Sequence, residues 1–152
     1  MKRAIVLILI SVLCLAAFSS CGYKAVYDEV YSKGMEANAM AMVFTNALAE
    51  KNYEKAMANV HPDSDISVET LETIINSISK EHGITFPQKV KVNAFSFKFI
   101  ADTENLEFDQ NNATLETFTI KLKFVIDGVK LKMEAVFLQN SNGFGIYTYS
   151  LT

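Results

Sequence analysis

The sequence has no tryptophan, only two prolines and six glycines among its 152 residues. So little proline and glycine excludes collagen-like and low-complexity classes, and the 50% share of hydrophobic residues argues against wholesale disorder. Basic residues are also in the minority, with 14 lysines and arginines against 17 aspartates and glutamates, a formal charge of −3. A chain with this balance is not expected to bind nucleic acid. Its length fits one domain.

Cysteine is equally scarce, and its two copies, Cys14 and Cys21, both lie near the N-terminus. Two basic residues precede an almost unbroken apolar run, residues 4–18, which is shorter than the ~20 residues that span a bilayer as a helix. Small residues follow the run. A basic start, a short apolar run and a small-residue cleavage region are the features of a secretory signal peptide. We therefore expect residues 1–20 to be a signal peptide.

The segment Phe18-Ser19-Ser20-Cys21-Gly22 resembles the lipobox of bacterial lipoproteins, in which a large apolar residue and two small residues precede the lipidated cysteine. The resemblance implies a diacylglycerol thioether on Cys21, which anchors the chain to the outer side of the cytoplasmic membrane or to the outer membrane. Two acyl chains give stable anchoring without a transmembrane helix. Ordinary cleavage near Ser19 and an uncleaved anchor are the alternatives.

Cleavage before Cys21 would leave 152 − 20 = 132 residues, with a net charge of 12 − 17 = −5. Residues 21–26 would then be the lipidated cysteine and a short tether, and residues 27–152 a single domain. With one cysteine left, and that one lipidated, no intramolecular disulfide can form. Stability must therefore come from the hydrophobic core.

Three helices are predicted in the first part of this domain. The stretch from Tyr27 to Glu50 is rich in alanine, methionine and glutamate, which favour helix. A short second helix follows Asn52 as its N-cap and ends at the His61-Pro62 pair. The third helix begins after Ser67 and ends at a C-terminal glycine, Gly83. The apolar stripe of the first helix consists of Met40, Val43, Phe44, Ala47 and Leu48.

After Pro87 the apolar period falls to two, which is typical of strands. Residues 89–99 predict a first strand, with a change of phase that requires a bulge or bend near Ala94. Residues 102–113 are polar and rich in turn formers, and they predict a loop. A final strand, residues 144–151, follows a turn. Its register is ambiguous, because both the Phe144/Ile146 pair and the Tyr147/Tyr149 pair could face inward.

The clearest strand pair is a hairpin about Asp127-Gly128, the favoured two-residue type I′ turn. Folding the chain there gives one face on which every pair is apolar, with Phe124 opposite Leu131, while Val125 lies opposite Lys130 on the other face. The opposite face carries four lysines: Lys121, Lys123, Lys130 and Lys132. Taken together, the elements predict an α+β fold with N-terminal helices packed on a curved four-stranded antiparallel sheet.

The stretch from Phe44 to Ala56, FTNALAEKNYEKA, resembles a pattern found in the nuclear transport factor 2-like superfamily, which has a cystatin-like cone fold. In many of its small secreted domains, a helix ending in Phe-x-x-Ala-Leu precedes a polar turn and Tyr-Glu-Lys-Ala. The resemblance covers residues 36–152. It implies a sheet curved around a long helix with a pocket between them. Members include isomerases, dehydratases and cyclases as well as uncharacterised bacterial lipoproteins, but none of their catalytic motifs can be placed on this chain.

The two histidines, His61 and His82, lack the spacing of a zinc site, and both fit structural roles near helix ends. His61 beside Asp63 or Asp65 is the best acid–base candidate, and structural roles are favoured over it. The acidic stretch from Asp102 to Asp109 lacks the pattern of a calcium loop. No metal, cofactor or catalytic residue is therefore predicted.

A pocket between helix and sheet is predicted to be apolar with few convergent polar groups, which favours binding over catalysis. The side chains expected to line it are Met40, Val43, Phe44, Leu71, Ile75, Phe118, Leu122, Phe124, Met133 and Phe137.

The sequence thus predicts a membrane-anchored extracytoplasmic lipoprotein whose non-catalytic domain binds a small apolar ligand or an envelope protein. An isomerase- or dehydratase-like pocket enzyme and a structural or immunity-like envelope lipoprotein are the alternatives. The lysine face either protects the sheet from aggregation or contacts an anionic surface, lipid headgroups or an envelope polymer. Tyr23, Tyr27 and Tyr31 either lie at headgroup level or pack on the domain.

Overall fold

The computed structural model describes residues 2–88, 96–101, 106–109 and 112–152. Within these ranges helices come first and antiparallel strands follow, so the prediction of an α+β fold is confirmed. The helices are α1 (Lys2–Ala49), α2 (Tyr53–Met57) and α3 (Val68–His82). The strands are β1 (Ser96–Ala101), β2 (Leu106–Asp109), β3 (Asn112–Leu115), β4 (Thr117–Ile126), β5 (Val129–Asn140) and β6 (Gly143–Leu151).

Helix α1 is longer than the sequence predicts, because it begins at Lys2 and continues without a break through the expected tether, residues 21–26. Residues 21–26 are therefore helical in this structure. The division of the chain at residues 20 and 21 concerns processing, and it stays a prediction. Across the helices of the described part of the chain, none combines the length and the apolarity that crossing a membrane requires.

The buried face of α1 consists of small residues around one large aromatic ring. Ala37, Ala41, Phe44 and Leu48 are all buried, and they recur at helical spacing. Val43 was expected on this face but is 40% exposed, so that prediction is wrong. Val43 is one residue before Phe44, and 100° per residue turns it away from the buried row. Met40 lies at the edge of the face and is half-buried.

The helix ends follow from local hydrogen bonding, and the predicted caps are confirmed. The Asn52 side chain accepts a hydrogen bond from the Lys55 amide at 3.1 Å, which starts α2. Ser67 and Thr70 form a reciprocal capping box at the start of α3. Gly83 ends α3 with φ of +70°, a conformation that favours glycine. Helix α2 ends at Met57, earlier than expected.

The main sheet is antiparallel with strand order β1-β4-β5-β6. Asp127 and Gly128, with φ of 52° and 78°, form the predicted tight turn between β4 and β5. The register pairs Phe124 with Leu131 and Lys123 with Lys132, as predicted. The inward-facing apolar residues of this hairpin are therefore buried against the helices, while Val125 and the lysines lie on the outer face.

A bulge in β6 resolves the ambiguity of the last strand. Ile146 pairs with Phe137 and Thr148 with Val136, which leaves Tyr147 without a partner on β5. One extra residue reverses the facing of the strand beyond it. Phe144 and Ile146 before the bulge therefore reach the core, and so do Tyr149 and Leu151 after it. Tyr147 is 38% exposed, so an inward-facing Tyr147/Tyr149 pair is wrong for Tyr147.

The expected loop over residues 102–113 is wrong in part, because β2 and β3 form a second antiparallel pair with Leu106 opposite Leu115. The sequence of β2 alternates apolar and acidic residues, a strand pattern that the surrounding polar turn residues obscured. The expected bulge near Ala94 lies outside the described residues.

Candidate functional site

Most of the predicted pocket residues form the packed core instead of a cavity. Phe44, Leu71 and Phe124 are completely buried, and the ring of Phe137 stacks on those of Phe118 and Phe144 with centroids 5.4 and 5.6 Å apart. Rings at this spacing leave no room for a ligand between them. Ile75, Phe118, Leu122 and Met133 are buried in the same way.

A cleft of about 320 Å³ lies elsewhere, between the start of α3 and the second half of β6. Of the predicted pocket residues, Leu71 alone lines it. A volume of this size is at the lower end of the range for small-molecule sites. The residues that line the cleft are Asp65, Ile66, Thr70, Leu71, Ile74, Tyr147, Thr148 and Tyr149.

The bulge in β6 helps to form this cleft. Tyr147, the bulged residue, and the two residues after it, Thr148 and Tyr149, all line the cleft, whereas successive side chains of a regular strand point to opposite faces. Ile66, Leu71 and Ile74 provide the opposite, aliphatic wall from α3 and the segment before it. The cleft is thus mainly apolar, and its polar side chains come from Asp65, two threonines and the tyrosine hydroxyls.

The hydroxyl of Tyr149 is the least satisfied group near the cleft. Its oxygen is buried and has no hydrogen-bond partner among the residues that the structure describes. The ring packs edge-on against Phe44, with centroids 4.9 Å apart. Burial raises the pKa of the Tyr149 hydroxyl, so the group stays neutral and does not act as a base at ordinary pH. An unpaired buried hydroxyl costs ~1–3 kcal/mol.

His61, the strongest acid–base candidate of the sequence, is buried and fully engaged. Its Nδ1 accepts a hydrogen bond from the Asp63 amide at 3.0 Å. Its Nε2 lies 3.1 Å from the Asn140 side-chain oxygen and 3.2 Å from the Gly143 carbonyl oxygen, so we assign the proton to Nε2. Both ring nitrogens are occupied, and His61 does not line the cleft. Its role is to hold the loop before α3 against the turn between β5 and β6.

Asp63 completes this hydrogen-bonded cluster from the solvent side. Its carboxylate accepts hydrogen bonds from the side-chain amide of Asn140 at 2.8 Å and from that of Asn142 at 2.9 Å. These two amides hold the pKa of Asp63 below its usual value. The ionised carboxylate therefore stabilises the fold fully above the pKa of the unfolded chain, about 3.9. This stabilisation is lost as the pH falls from that value through the lower pKa of the folded state.

The Asp63 cluster predicts a specific dependence of stability on pH. Asp63→Asn should lower the melting temperature at pH values above about 5, and its difference from the wild type should shrink as the pH falls below about 4 towards the lower pKa of the folded state. Melting curves from about pH 2.5 to about pH 7, a range that brackets the ordinary carboxyl pKa, measure this difference in melting temperature. Asp127→Asn, at a turn position that suits asparagine, is the control. A constant difference at all pH values would contradict the assignment.

Backbone contacts join residues 59–61 to β6, beside the bulge. The Ile146 amide donates to the Asn59 carbonyl oxygen and the His61 amide donates to the Ile146 carbonyl oxygen, both at 2.9 Å. The Ser64 hydroxyl donates to the Tyr147 carbonyl oxygen at 2.6 Å. The sequence did not predict that residues 59–61 contact β6. A glycine inside a strand, Gly145, was the available signal, because such a residue often marks a close backbone approach.

The lysine face is as predicted from the hairpin register, but its lysines differ in their partners. Lys121 forms an ion pair with Glu134 at 2.6 Å. Lys123, Lys130 and Lys132 are exposed, and no ion pair joins them to an acidic residue in the described part of the chain. The lysine face, defined as these four lysines, therefore carries an excess of positive charge on an acidic chain.

The exposed part of α1 carries a second apolar surface. Tyr27, Tyr31 and Met35 are 58%, 61% and 57% exposed, and the two tyrosine rings stack with centroids 6.1 Å apart. Of the two alternatives for this stripe, packing on the domain is therefore wrong for Tyr27 and Tyr31. The Tyr23 side chain lies outside the description.

Metal-binding and helix-end candidates give no further site. Over the described residues, no three histidine, cysteine, aspartate or glutamate side chains are grouped so that they could hold a metal ion. His82 is exposed in the last turn of α3, where a positive charge suits the helix dipole.

A scan against protein-family models gives no match, and a search of curated proteins gives none either. Among solved structures, the chain is similar to one described as a de novo designed protein with a curved β-sheet. The identity is 15%, over 76% of this chain and 97% of that chain, with a TM-score of 0.35. It is also similar to a variant of the designed protein Rd1NTF2_05, at 11% identity over 80% of this chain and 99% of that chain, with a TM-score of 0.35. Neither similarity bears on the chemistry of the cleft.

Proposed function

We propose that this protein is a lipid-anchored, extracytoplasmic binding module that holds a small, largely apolar molecule in the cleft between α3 and β6. The observation that carries the proposal is the cleft itself, which combines an aliphatic wall, two tyrosines and few polar groups. Small-molecule sites are typically concave and mostly apolar, with a few polar groups that set orientation. The same proposal places residues 36–152 in the nuclear transport factor 2-like superfamily, and what supports it is the Phe44–Ala56 motif and the order of helices before strands.

Binding is favoured over catalysis by the groups that face the cleft. General acid–base chemistry needs a proton donor and acceptor in reach of a common substrate atom. The carboxylate of Asp65 is the acidic group of the lining, and the hydroxyl of Tyr149 is buried without a partner. His61 is held in a structural cluster behind the loop. This arrangement suits retention of a ligand rather than its conversion.

Titration with phenylnaphthylamine, a neutral apolar dye whose fluorescence rises in apolar surroundings, tests the cleft. Ile74→Glu places a charge on the aliphatic wall and should weaken dye binding about tenfold or more, the cost of desolvating a carboxylate. Val68→Glu, also on α3 but exposed and outside the cleft, is the matched control and should bind like the wild type. Equal binding by the Ile74→Glu variant, with the fold intact by circular dichroism, would rule out this cleft as the site.

The anchor has its own test at Cys21. Cys21→Ala removes the thiol that would carry the diacylglycerol, so the variant should take up no radiolabelled palmitate. It should also leave the membrane fraction of bacteria that express the full chain. Cys14→Ala, within the expected signal peptide, is the control and should keep both the label and the membrane attachment. Labelling of the Cys21→Ala variant would show that the lipoprotein assignment is wrong.

A second surface, the lysine face, favours contact with anionic lipid headgroups. Three exposed lysines that form no ion pair with any described acidic residue lie on neighbouring strands, and the exposed side chain of Val125 lies on the same face. Lysines close to an anionic membrane each contribute about 1 kcal/mol of attraction. An exposed aliphatic side chain among them adds apolar contact at the headgroup level.

Lys123→Glu separates the binding role of this face from a purely protective one. Because Lys123 lies opposite Lys132, the change replaces repulsion by attraction and should stabilise the fold by ~0.2–1 kcal/mol in urea unfolding. The same variant, combined with Cys21→Ala, should bind phosphatidylglycerol vesicles several-fold less than Cys21→Ala alone. Lys55→Glu on α2 is the control. Unchanged binding to anionic vesicles would leave only the protective role.

A further inference from the structure

The mouth of the cleft carries one carboxylate, that of Asp65, which pairs with no other described residue. Asp65 lines the cleft, is exposed, and has no hydrogen bond or ion pair with any described residue. A carboxylate is an acceptor only, so its partner must be a donor or a cation. Asp63, two residues earlier, differs in this respect because two amides occupy its carboxylate.

Two hydroxyl groups near the mouth are already committed to the fold, and the hydroxyls of Tyr147, Thr148 and Tyr149 carry no charge. The Thr70 hydroxyl donates to the Ser67 carbonyl oxygen at 2.7 Å and accepts from the Ser67 amide at 2.8 Å. The Ser64 hydroxyl donates to the Tyr147 carbonyl oxygen and accepts from the Ile66 amide. Asp65 is therefore the charged group that remains available to a ligand in the cleft. None of the lining residues is cationic.

Aromatic rings accompany this carboxylate. Tyr147, the bulged residue of β6, is 38% exposed and lines the cleft together with Tyr149. The faces of tyrosine rings attract cations, and the attraction adds to that of a nearby carboxylate. A carboxylate and aromatic rings beside an aliphatic wall match a molecule with an apolar body and a positively charged head. A ligand with a carboxylate head would instead be repelled by Asp65.

We propose that the cleft selects amphipathic cations, that is, alkyl or aryl amines that place the apolar part against Ile66, Leu71 and Ile74 and the protonated amine at Asp65. This inference rests on the proposed function, because it names the class of ligand for the same cleft. It goes beyond that function because it proposes that Asp65 determines which polar group of the ligand is preferred. Asp65 is a specificity residue and takes part in no reaction.

Three probes with the same octyl chain test the proposal on the full-length protein: octylammonium, octanol and octanoate, each measured by displacement of phenylnaphthylamine. Octylammonium should bind roughly three- to tenfold more tightly than octanol, a range set by an exposed ion pair with a cation–π contribution, and octanoate should bind most weakly. The preference should fall as salt is raised, because the charges are near the surface.

Asp65→Asn should reduce the preference for octylammonium to about equality while octanol binding stays as in the wild type, since the change removes only the charge. Glu72→Gln, exposed on α3 and outside the cleft, is the matched control and should keep the wild-type preference. Equal affinities for octylammonium and octanol in the wild type would overturn the inference, as would a full preference in the Asp65→Asn variant. In both cases the proposed function would still stand if octanol bound to the wild type and Ile74→Glu weakened that binding about tenfold or more. Binding of none of the probes or the dye would overturn both.

Discussion

Replacement of Phe137 by alanine is expected to lower the free energy of unfolding by ~3–5 kcal/mol, the usual cost of removing a buried phenylalanine. Phe137 is completely buried in β5, and its ring stacks on Phe118 of β4 and on Phe144 of β6. The three rings join three strands of the main sheet. Removing the Phe137 ring should therefore loosen the pairing of β5 with both β4 and β6, because the neighbouring side chains can only partly fill the space.

Urea unfolding followed by circular dichroism measures this prediction. The control is Val125→Ala on β4, where the side chain is 38% exposed and its truncation should change the stability by less than about 1 kcal/mol. A loss of stability below about 1.5 kcal/mol for Phe137→Ala would contradict the expected range of ~3–5 kcal/mol. It would show that the surrounding core collapses into the space left by the ring. The difference between the two variants is more informative than either value alone.

The hairpin of β4 and β5 shows what the sequence could predict. Its turn residues, Asp127 and Gly128, require positive φ angles, and only one register about that turn places apolar residues opposite each other. Local chemistry and burial pattern agree there, so the register could be derived. The caps of α3, Ser67 and Gly83, were predictable for the same reason, since each is determined by its own side chain and backbone.

The cleft could not be predicted, because it depends on where distant segments meet. Val43 was expected on the buried face of α1, but two alanines, Ala37 and Ala41, set that face by allowing close packing. The bulged residue Tyr147 lines the cleft, and the sequence left the register of this strand ambiguous. In the sequence, the two tyrosines of β6 and the residues before α3 are about eighty positions apart. Only the packed fold brings them together.

The anchor prediction and the shape of α1 are compatible with one another. The stripe of Tyr27, Tyr31 and Met35 begins six residues after Cys21, about 9 Å along a helix, so it would lie near the headgroups of a membrane that holds the lipid.

Gly145→Ala is expected to destabilise the protein by about 3 kcal/mol, from overpacking together with the weakening of two backbone hydrogen bonds. A β-carbon at this position would lie 2.8 Å from the His61 amide nitrogen and 3.1 Å from the Asn59 carbonyl oxygen. Both are backbone atoms, which cannot rotate away as the end of a side chain can. The added methyl group must therefore push residues 59–61 from β6 and lengthen their hydrogen bonds to Ile146.

The consequences of Gly145→Ala should extend to the cleft, because the Ile146 contacts hold the loop before α3 beside the bulge. Urea unfolding should show the lower stability, hydrogen exchange should show faster exchange of the Ile146 amide, and phenylnaphthylamine should bind less tightly. Ser150→Ala, exposed on the same strand, is the control and should stay within about 0.5 kcal/mol of the wild type. Wild-type stability with unchanged protection of the Ile146 amide would mean that the 59–61 segment can move aside. In that case the close approach at Gly145 would not be what fixes the walls of the cleft.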